Sequence, residues 1–343
     1  MLQIIKPDVN VDFVGVRKWA YAFSLTLILA SIVSVVLHGG LKYSIDFAGG
    51  AEILVKFDKA VPIEKIKSAL VDIDLKGTVQ EYGKGGSDNF RILIDAQQAE
   101  TENLNRKLQD GLTSATQAKV TIESFEQVGP QVGSDMRQKA MLAIFFALLF
   151  INIYISGRFE FKWLISAGMT LVLAVLVYAL YLIHLSMPIL ILAALIASLA
   201  LFYFLNLKYA MGAIVALIHD VIITVGCFSF SEKEFSLTIV AAILTIIGYS
   251  LNDTIIVFDR IRENLRKYQK RPMGEIINRS VNETLSRTIL TSGFTLLVVV
   301  ALFFLGGGVI HDFAFALLVG IVVGTYSSVF VASPILLAWQ KRK

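Results

Sequence analysis

The chain has 343 residues, 56% of them hydrophobic and 17% charged, with a formal net charge of +4 and a mean hydropathy of +0.69. Soluble domains run nearer roughly 45–50% apolar and about 25% charged, so this balance excludes an ordinary soluble domain and points to an integral membrane protein. Lys and Arg gather at the ends of apolar segments, which argues against a nucleic-acid role, and the lone Cys227 excludes an intramolecular disulfide.

About 20 apolar residues cross a bilayer as a helix. Eight segments meet that length, at about 19–37, 137–156, 163–184, 188–206, 209–229, 236–257, 286–305 and 311–339. The first, Trp19 to Leu37, follows Arg17 and Lys18 and has 19 residues. A secretory h-region has about 7–15, so the segment is expected to stay as an uncleaved span. Residues 1–39 thus form a cytoplasmic N-terminus and first span.

Residues 40–136 are a polar insert with the pattern of an ordered domain. Ala51 to Phe57 alternates as a strand, and Pro62 to Leu70 has helical spacing with Ile63, Ile66 and Leu70 on one face. Thr78 to Tyr82 reads as a strand, Gly83 to Asp88 as a turn, and Phe90, Ile92 and Ile94 as the next strand. Thr101 to Leu112 places Leu104, Leu108 and Leu112 on one helical face, and Val120 to Phe125 closes the set. The order β-α-β-β-α-β is a ferredoxin-like α+β unit, which names a scaffold and not an activity.

Residues 137–343 hold the remaining spans. With the N-terminus inside, Lys6, Arg17, Lys18, Arg158, Lys162, Lys208, the Arg260–Arg287 loop and the tail Lys341-Arg342-Lys343 all fall on the inner side. The outer short loops hold only Lys233. The positive-inside rule then predicts both termini in the cytoplasm and an extracytoplasmic (periplasmic) α+β domain.

Ionisable groups inside the spans are the candidates for chemistry, because a carboxylate there costs about 2.5–3.5 kcal/mol even on the gentlest scale. Asp253 lies in an apolar run beside Asn252 and Thr254. Position alone leaves two readings open, proton handling or an inner-leaflet carboxylate that snorkels to water. Asn252 is expected to bond a neighbouring helix and Thr254 a local carbonyl. Arg287 opens the next span, either as an interface anchor or as a partner that makes and breaks contact with Asp253. The pair His219-Asp220 is deeper still, and reads either as a structural pair or as a proton relay. Gly248, Gly293, Gly320 and Gly324 are expected to allow close helix approach. Asp46, Gly49 and Gly50 join the first span to the domain as a hinge or a plain turn. No metalloprotease, nucleophile-elbow or paired-cysteine metal motif is present, so no enzyme, cofactor or metal is expected.

A further set of motifs runs along the chain in order. These are Ile45-Asp46-Phe47-Ala48-Gly49-Gly50, Val128 to Gly133, Ala216 to Asp220, Gly248 to Asn264, Ser286 to Ser292 and Val319 to Ser328. Together they closely resemble the SecF family, found in the SecDF accessory complex of bacterial protein export. The resemblance covers nearly the whole chain. It implies SecD and the SecYEG channel as partners, an unfolded preprotein as substrate, the inner membrane with its lipids as location, and the proton-motive force as energy source. It also implies that Asp253 couples protons and that Arg287 acts with it. Members usually have six spans, whereas Trp163 to Lys208 reads here as an inserted two-helix hairpin. A stand-alone proton-coupled exporter of small molecules is the alternative. Such transporters carry repeated halves, and this chain has one extramembrane domain and one Asp-containing core.

Overall fold

A computed structural model describes residues 10–82, 88–99, 103–160, 162–182 and 187–340. The predicted Gly83–Asp88 turn lies almost wholly outside them.

Helix α1 (Arg17–Leu37) is followed by a single helical turn, α2 (Ile45–Ala48), and the α/β domain. Its elements are β1 (Gly50–Phe57), α3 (Ile63–Asp72), β2 (Gly77–Glu81), β3 (Asn89–Ile94), α4 (Ala96–Ala99), α5 (Leu104–Thr116) and β4 (Val120–Val128). The sheet order is β2-β3-β1-β4, and every neighbouring pair is antiparallel. This is the expected ferredoxin-like arrangement. Alternation places Ile53, Val55, Phe90 and Ile92 on one face, where Ile66 and Leu70 of α3 and Leu104, Leu108 and Leu112 of α5 cover them. A separate turn forms at Ala96–Ala99, and the second helix is described from Leu104, the predicted start at Thr101 lying outside the described residues.

The bundle comprises α6 (Pro130–Glu160), α7 (Trp163–Leu182), α8 (Met187–Phe204), α9 (Lys208–Phe230), α10 (Leu237–Lys267), α11 (Met273–Leu305) and α12 (Gly308–Ser327). A π-helical turn, Ser328–Ala332, joins α12 to α13 (Ser333–Gln340). Among the described residues, seven helices are long and apolar enough to span a membrane, with α12 to α13 counted as one, and Ile189–Phe204 is a shorter apolar helix. The chain is a polytopic α-helical membrane protein carrying an α+β domain.

Three helices run beyond the predicted spans. Helix α6 begins at Pro130, within the domain junction. Helix α10 continues ten residues past 257, and α11 starts at Met273 instead of 286. The expected basic loop is therefore mostly a helical hairpin. An apolar stripe persists through it: Ile261 on α10 and Ile276, Ile277 and Val281 on α11 are buried. Asn264 donates to Ser280 Oγ at 3.0 Å and to Glu283 Oε2 at 2.7 Å, tying the two arms.

The α/β domain sits on the α9–α10 and α11–α12 turns. Arg91 on β3 holds both oxygens of Glu52 at 2.6 Å and reaches Glu234 Oε2, in the α9–α10 turn, at 2.9 Å. Burial works against its charge, but the hydrogen bonds and charges of Glu52 and Glu234 outweigh that, so the guanidinium is held above its ordinary range. Nearby, a β-carbon on Gly308 would come within 2.8 Å of the Tyr82 ring.

The junction read as a hinge or turn is tightly packed. Asp46 Oδ2 accepts from the Leu237 backbone N–H at 2.9 Å, at the start of α10. Phe235 N–H donates to Lys42 O at 2.7 Å, and Ser44 N–H to Phe235 O at 3.1 Å. Gly49 and Gly50 have φ of 76° and 129°, which disfavours a side chain. A β-carbon at Gly49 would also lie 2.9 Å from Pro130 Cα, and one at Gly50 2.5 Å from Ile94 O.

Candidate functional site

The centre of the bundle is where its most buried helices meet: half or more of the apolar windows of α9, α10 and α12–α13 is buried, against 17% for α7 and for α11. Two carboxylates lie in this centre. Asp220 and Asp253 are each 1% exposed.

Asp220 is held from every side. Its Oδ2 accepts from Ser250 Oγ of α10 at 2.5 Å and lies 2.8 Å from Ser327 Oγ of α12. Its Oδ1 lies 2.9 Å from His219 Nδ1, and His219 Nε2 lies 3.1 Å from Ser24 Oγ of α1. Ser24 is 3.2 Å from the Tyr326 hydroxyl, which donates to Ala20 O at 2.8 Å. The Tyr326 ring stacks on His219, with centroids 6.1 Å apart. Four helices thus converge on one carboxylate–imidazole pair.

The proton inventory of this line depends on His219. With a neutral ring whose Nδ1–H faces Asp220, Nε2 accepts from Ser24. With a charged ring, Nε2–H donates to Ser24, and the Ser24 hydroxyl turns to donate its hydrogen bond to the Tyr326 hydroxyl.

Asp253 has a sparser shell. Its Oδ2 accepts from Ser292 Oγ of α11 at 3.2 Å, and Thr325 Oγ1 of α12 lies 2.8 Å from Ser292 Oγ. Thr288, one turn from Ser292, is 1% exposed and its hydroxyl has no partner among the described residues. Ser250 and Asp253 are three residues apart on α10, so they share a face and sit about 4.5 Å apart along the axis. Thr325, Tyr326 and Ser327 are consecutive on α12, so the two acid sites meet on that helix.

Arg287 is exposed and forms no ion pair within 4 Å among the described residues; it is within electrostatic reach of Asp253. The pair expected from sequence is open in this structure, and Ser292 occupies the carboxylate instead. Asn252 is exposed on the outer face of α10 and stands apart from the site, while Thr254 is buried beside it. Gly320 and Gly324 do bring helices together, since a β-carbon at Gly324 would be 2.9 Å from Ser250 Cβ. Gly248 and Gly293 face open space, where an added β-carbon would meet nothing within 4 Å. The packing role expected of them is absent among the described residues of this chain.

This site sits on a sequence with close relatives. The family described as "Protein export membrane protein SecD/SecF, C-terminal" matches residues 107–201 and 186–342, and the SecD/SecF GG motif matches residues 35–61. Protein translocase subunit SecF of Magnetococcus marinus is 41% identical over 98% of this chain and 94% of its own length. The chain belongs to the SecF family. SecF of Vibrio alginolyticus is 40% identical, with 98% of this chain and 92% of that protein covered. Among solved structures, SecDF of Thermus thermophilus, a translocon-associated membrane protein, superposes with a TM-score of 0.73 at 31% identity. That match covers 99% of this chain and 40% of the SecDF chain, so the chain spans well under half of it.

Within this SecF-family bundle, the structure adds residues that sequence reading missed. Ser24, Ser250, Ser292, Thr325, Tyr326 and Ser327 complete the two acid sites. Their signal was available in one form: hydroxyls recurring inside apolar spans. Which of them face inward depends on helix rotation, which the weakly amphipathic spans do not specify.

Proposed function

We propose that this chain is the SecF-type subunit of the bacterial protein-export translocase and uses the proton-motive force to complete preprotein export across the inner membrane. The reading carries SecD as membrane partner, SecYEG as neighbouring channel and an unfolded preprotein as substrate. The observation that carries it is the convergence of Asp220, His219 and, through Ser292, Asp253 on consecutive residues of α12. A proton taken up or lost there changes the contacts of four helices at once. One charge crossing ~100 mV supplies roughly 2.3 kcal/mol, enough to shift a balanced two-state equilibrium about fifty-fold.

The positive-inside pattern supports a cytoplasmic α10–α11 hairpin, both termini inside and a periplasmic α/β domain. The division into residues 1–39, 40–136 and 137–343, with 163–208 as an inserted hairpin, is part of the same proposal. It is supported by the compact α/β core. The domain's contacts through Arg91–Glu234 and Asp46–Leu237 give α10 a direct connection to it. Motion at Asp253 would reach the domain along that helix, and swings of the domain would bind the emerging chain and oppose its return. No enzymatic step enters this scheme.

An exposed face on α10 and α11 supports a membrane partner. Thr245, Gly248 and Asn252 of α10 and Arg287 and Thr291 of α11 all point outward. An amide and a guanidinium facing lipid are costly, whereas small and polar residues suit a helix–helix interface. A stand-alone exporter has no use for that face, so it favours SecD.

The test is Asp253→Asn in inverted vesicles importing a preprotein, with and without an imposed proton gradient. Basal import is expected to continue and gradient stimulation to vanish. Unchanged stimulation would show that Asp253 is not a coupling residue.

A further inference from the structure

Between α6, α8 and α9 runs a polar seam that neither carboxylate site uses. Asn152, Ser156 and Glu160 stand four residues apart on α6 and so share one face. Asn152 is 2% exposed and Ser156 0%. Asn152 Oδ1, Ser156 Oγ and Glu160 Oε2 are all buried and lack a hydrogen-bond partner among the described residues. Buried polar atoms nearly always find a partner, whether protein or water, and hydrocarbon supplies none. Three orphan oxygens in line on one helix face are a pattern that calls for water along the seam.

The surroundings identify it. Asn152 borders a cavity of about 10 Å³ with Leu149, Ile191, Ala194, Ser198 and Ile214. That is the scale of a single water, and Asn152 and Ser198 offer it polar partners across the gap. At the other end of the seam, about 12 Å away along the axis, Glu160 Oε1 accepts from the Tyr209 backbone N–H at 3.2 Å, at the start of α9. Lys162 and Lys208 lie within electrostatic reach of that carboxyl. The mouth is therefore charged and polar, and the interior is apolar apart from the uncharged Asn152, Ser156 and Ser198.

We propose that this seam is a water-binding site, in which Asn152, Ser156 and Ser198 hold a short file of water that enters past Glu160. Helix α8 supplies the far wall, so the α7–α8 hairpin closes the site against lipid. The site stands independently of whether export is driven by protons.

Thiol accessibility tests this in the full chain, in native membranes and on a Cys227→Ser background. A cysteine binds the silver ion as thiolate, and that ion is about as small as a water and travels only where water does. Asn152→Cys and Ser156→Cys are expected to react at least about tenfold faster than Phe150→Cys, which faces outward at 68% exposure. Ser198→Leu should slow Asn152→Cys while leaving Ser156→Cys fast. If both seam thiols react no faster than Phe150→Cys while the exposed Arg158→Cys control reacts, the site is dry and the proposal fails. Ser156→Ala provides a reading that needs no label. Loss of a water partner lowers the thermal midpoint of the purified protein, whereas an unchanged or higher midpoint would overturn the proposal, since it means the hydroxyl was buried dry.

Discussion

In the α/β domain the interior is aliphatic and aromatic, and the charged groups lie on its surface or at its contact with the bundle. In the bundle the order is reversed: Leu, Val and Phe cover much of the outside, while His219, Asp220, Asp253 and a set of hydroxyls occupy the centre. Water drives the first arrangement through the hydrophobic effect. Lipid gives apolar surface no reason to leave it, so packing and polar contacts must bring the helices together. The domain's core is thus expected to govern its stability, and the bundle's core its response to protons.

Substitutions can break this contrast. Phe90→Ala removes a fully buried ring from the domain and is expected to cost about 3–5 kcal/mol, read as lost protease resistance of the domain in membranes. If the domain stays resistant, its core does not govern its stability. Arg91→Ala removes the bidentate pair with Glu52 and the link to Glu234, at about 1.5–3 kcal/mol for charge-assisted bonds. A disulfide between Tyr82→Cys and Gly308→Cys should then form more slowly, and an unchanged rate would mean that Arg91 does not seat the domain. Because the Arg91 charge is held above its ordinary range, that rate's dependence on Arg91 should be the same at pH 6 and pH 8.

Asp220→Asn sharpens the comparison from the other side. It keeps an acceptor for Ser250 and Ser327, so the change in thermal stability should be small, about 1 kcal/mol, while gradient-dependent import is lost. A large loss of stability with import retained would make Asp220 a structural residue. Arg260→Ala breaks exposed contacts to Glu263 and Glu283 and is expected to change stability by less than about 1 kcal/mol. A bigger shift in the thermal midpoint would mean that the α10–α11 hairpin depends on its ion pairs more than on Ile261, Ile277 and Val281.

The domain was the more legible half. Strict alternation in β1 and β3 and the four-residue leucine spacing of α5 can be satisfied in only one register, so its topology follows from pattern. The spans were legible in approximate place, seven of the eight predicted segments being long and apolar enough to cross and the one at 188–206 proving a shorter apolar helix. Their ends were not, because α10 and α11 exchange an apolar stripe for an amphipathic one without a break, and a hydropathy window sees only the first. Asp220 and Asp253 were visible because a carboxylate in an apolar run is conspicuous. Their hydroxyl partners were not, since a serine costs little in such a run and can face any neighbour. Asn252 misled for the same reason: adjacency to Asp253 in sequence places it about 100° away around the helix, turned out of the site.

The sequence Thr325-Tyr326-Ser327 has one more consequence. These residues are spread about 100° apart around α12, one toward Ser292, one against His219 and one on Asp220. Just beyond them the wider winding of Ser328–Ala332 interrupts the regular helix. A twist of α12 behaves like the turning of a camshaft, since it cannot release one of these contacts without moving the other two. In the proposed scheme, a single helix then times the Asp220 and Asp253 sites against each other.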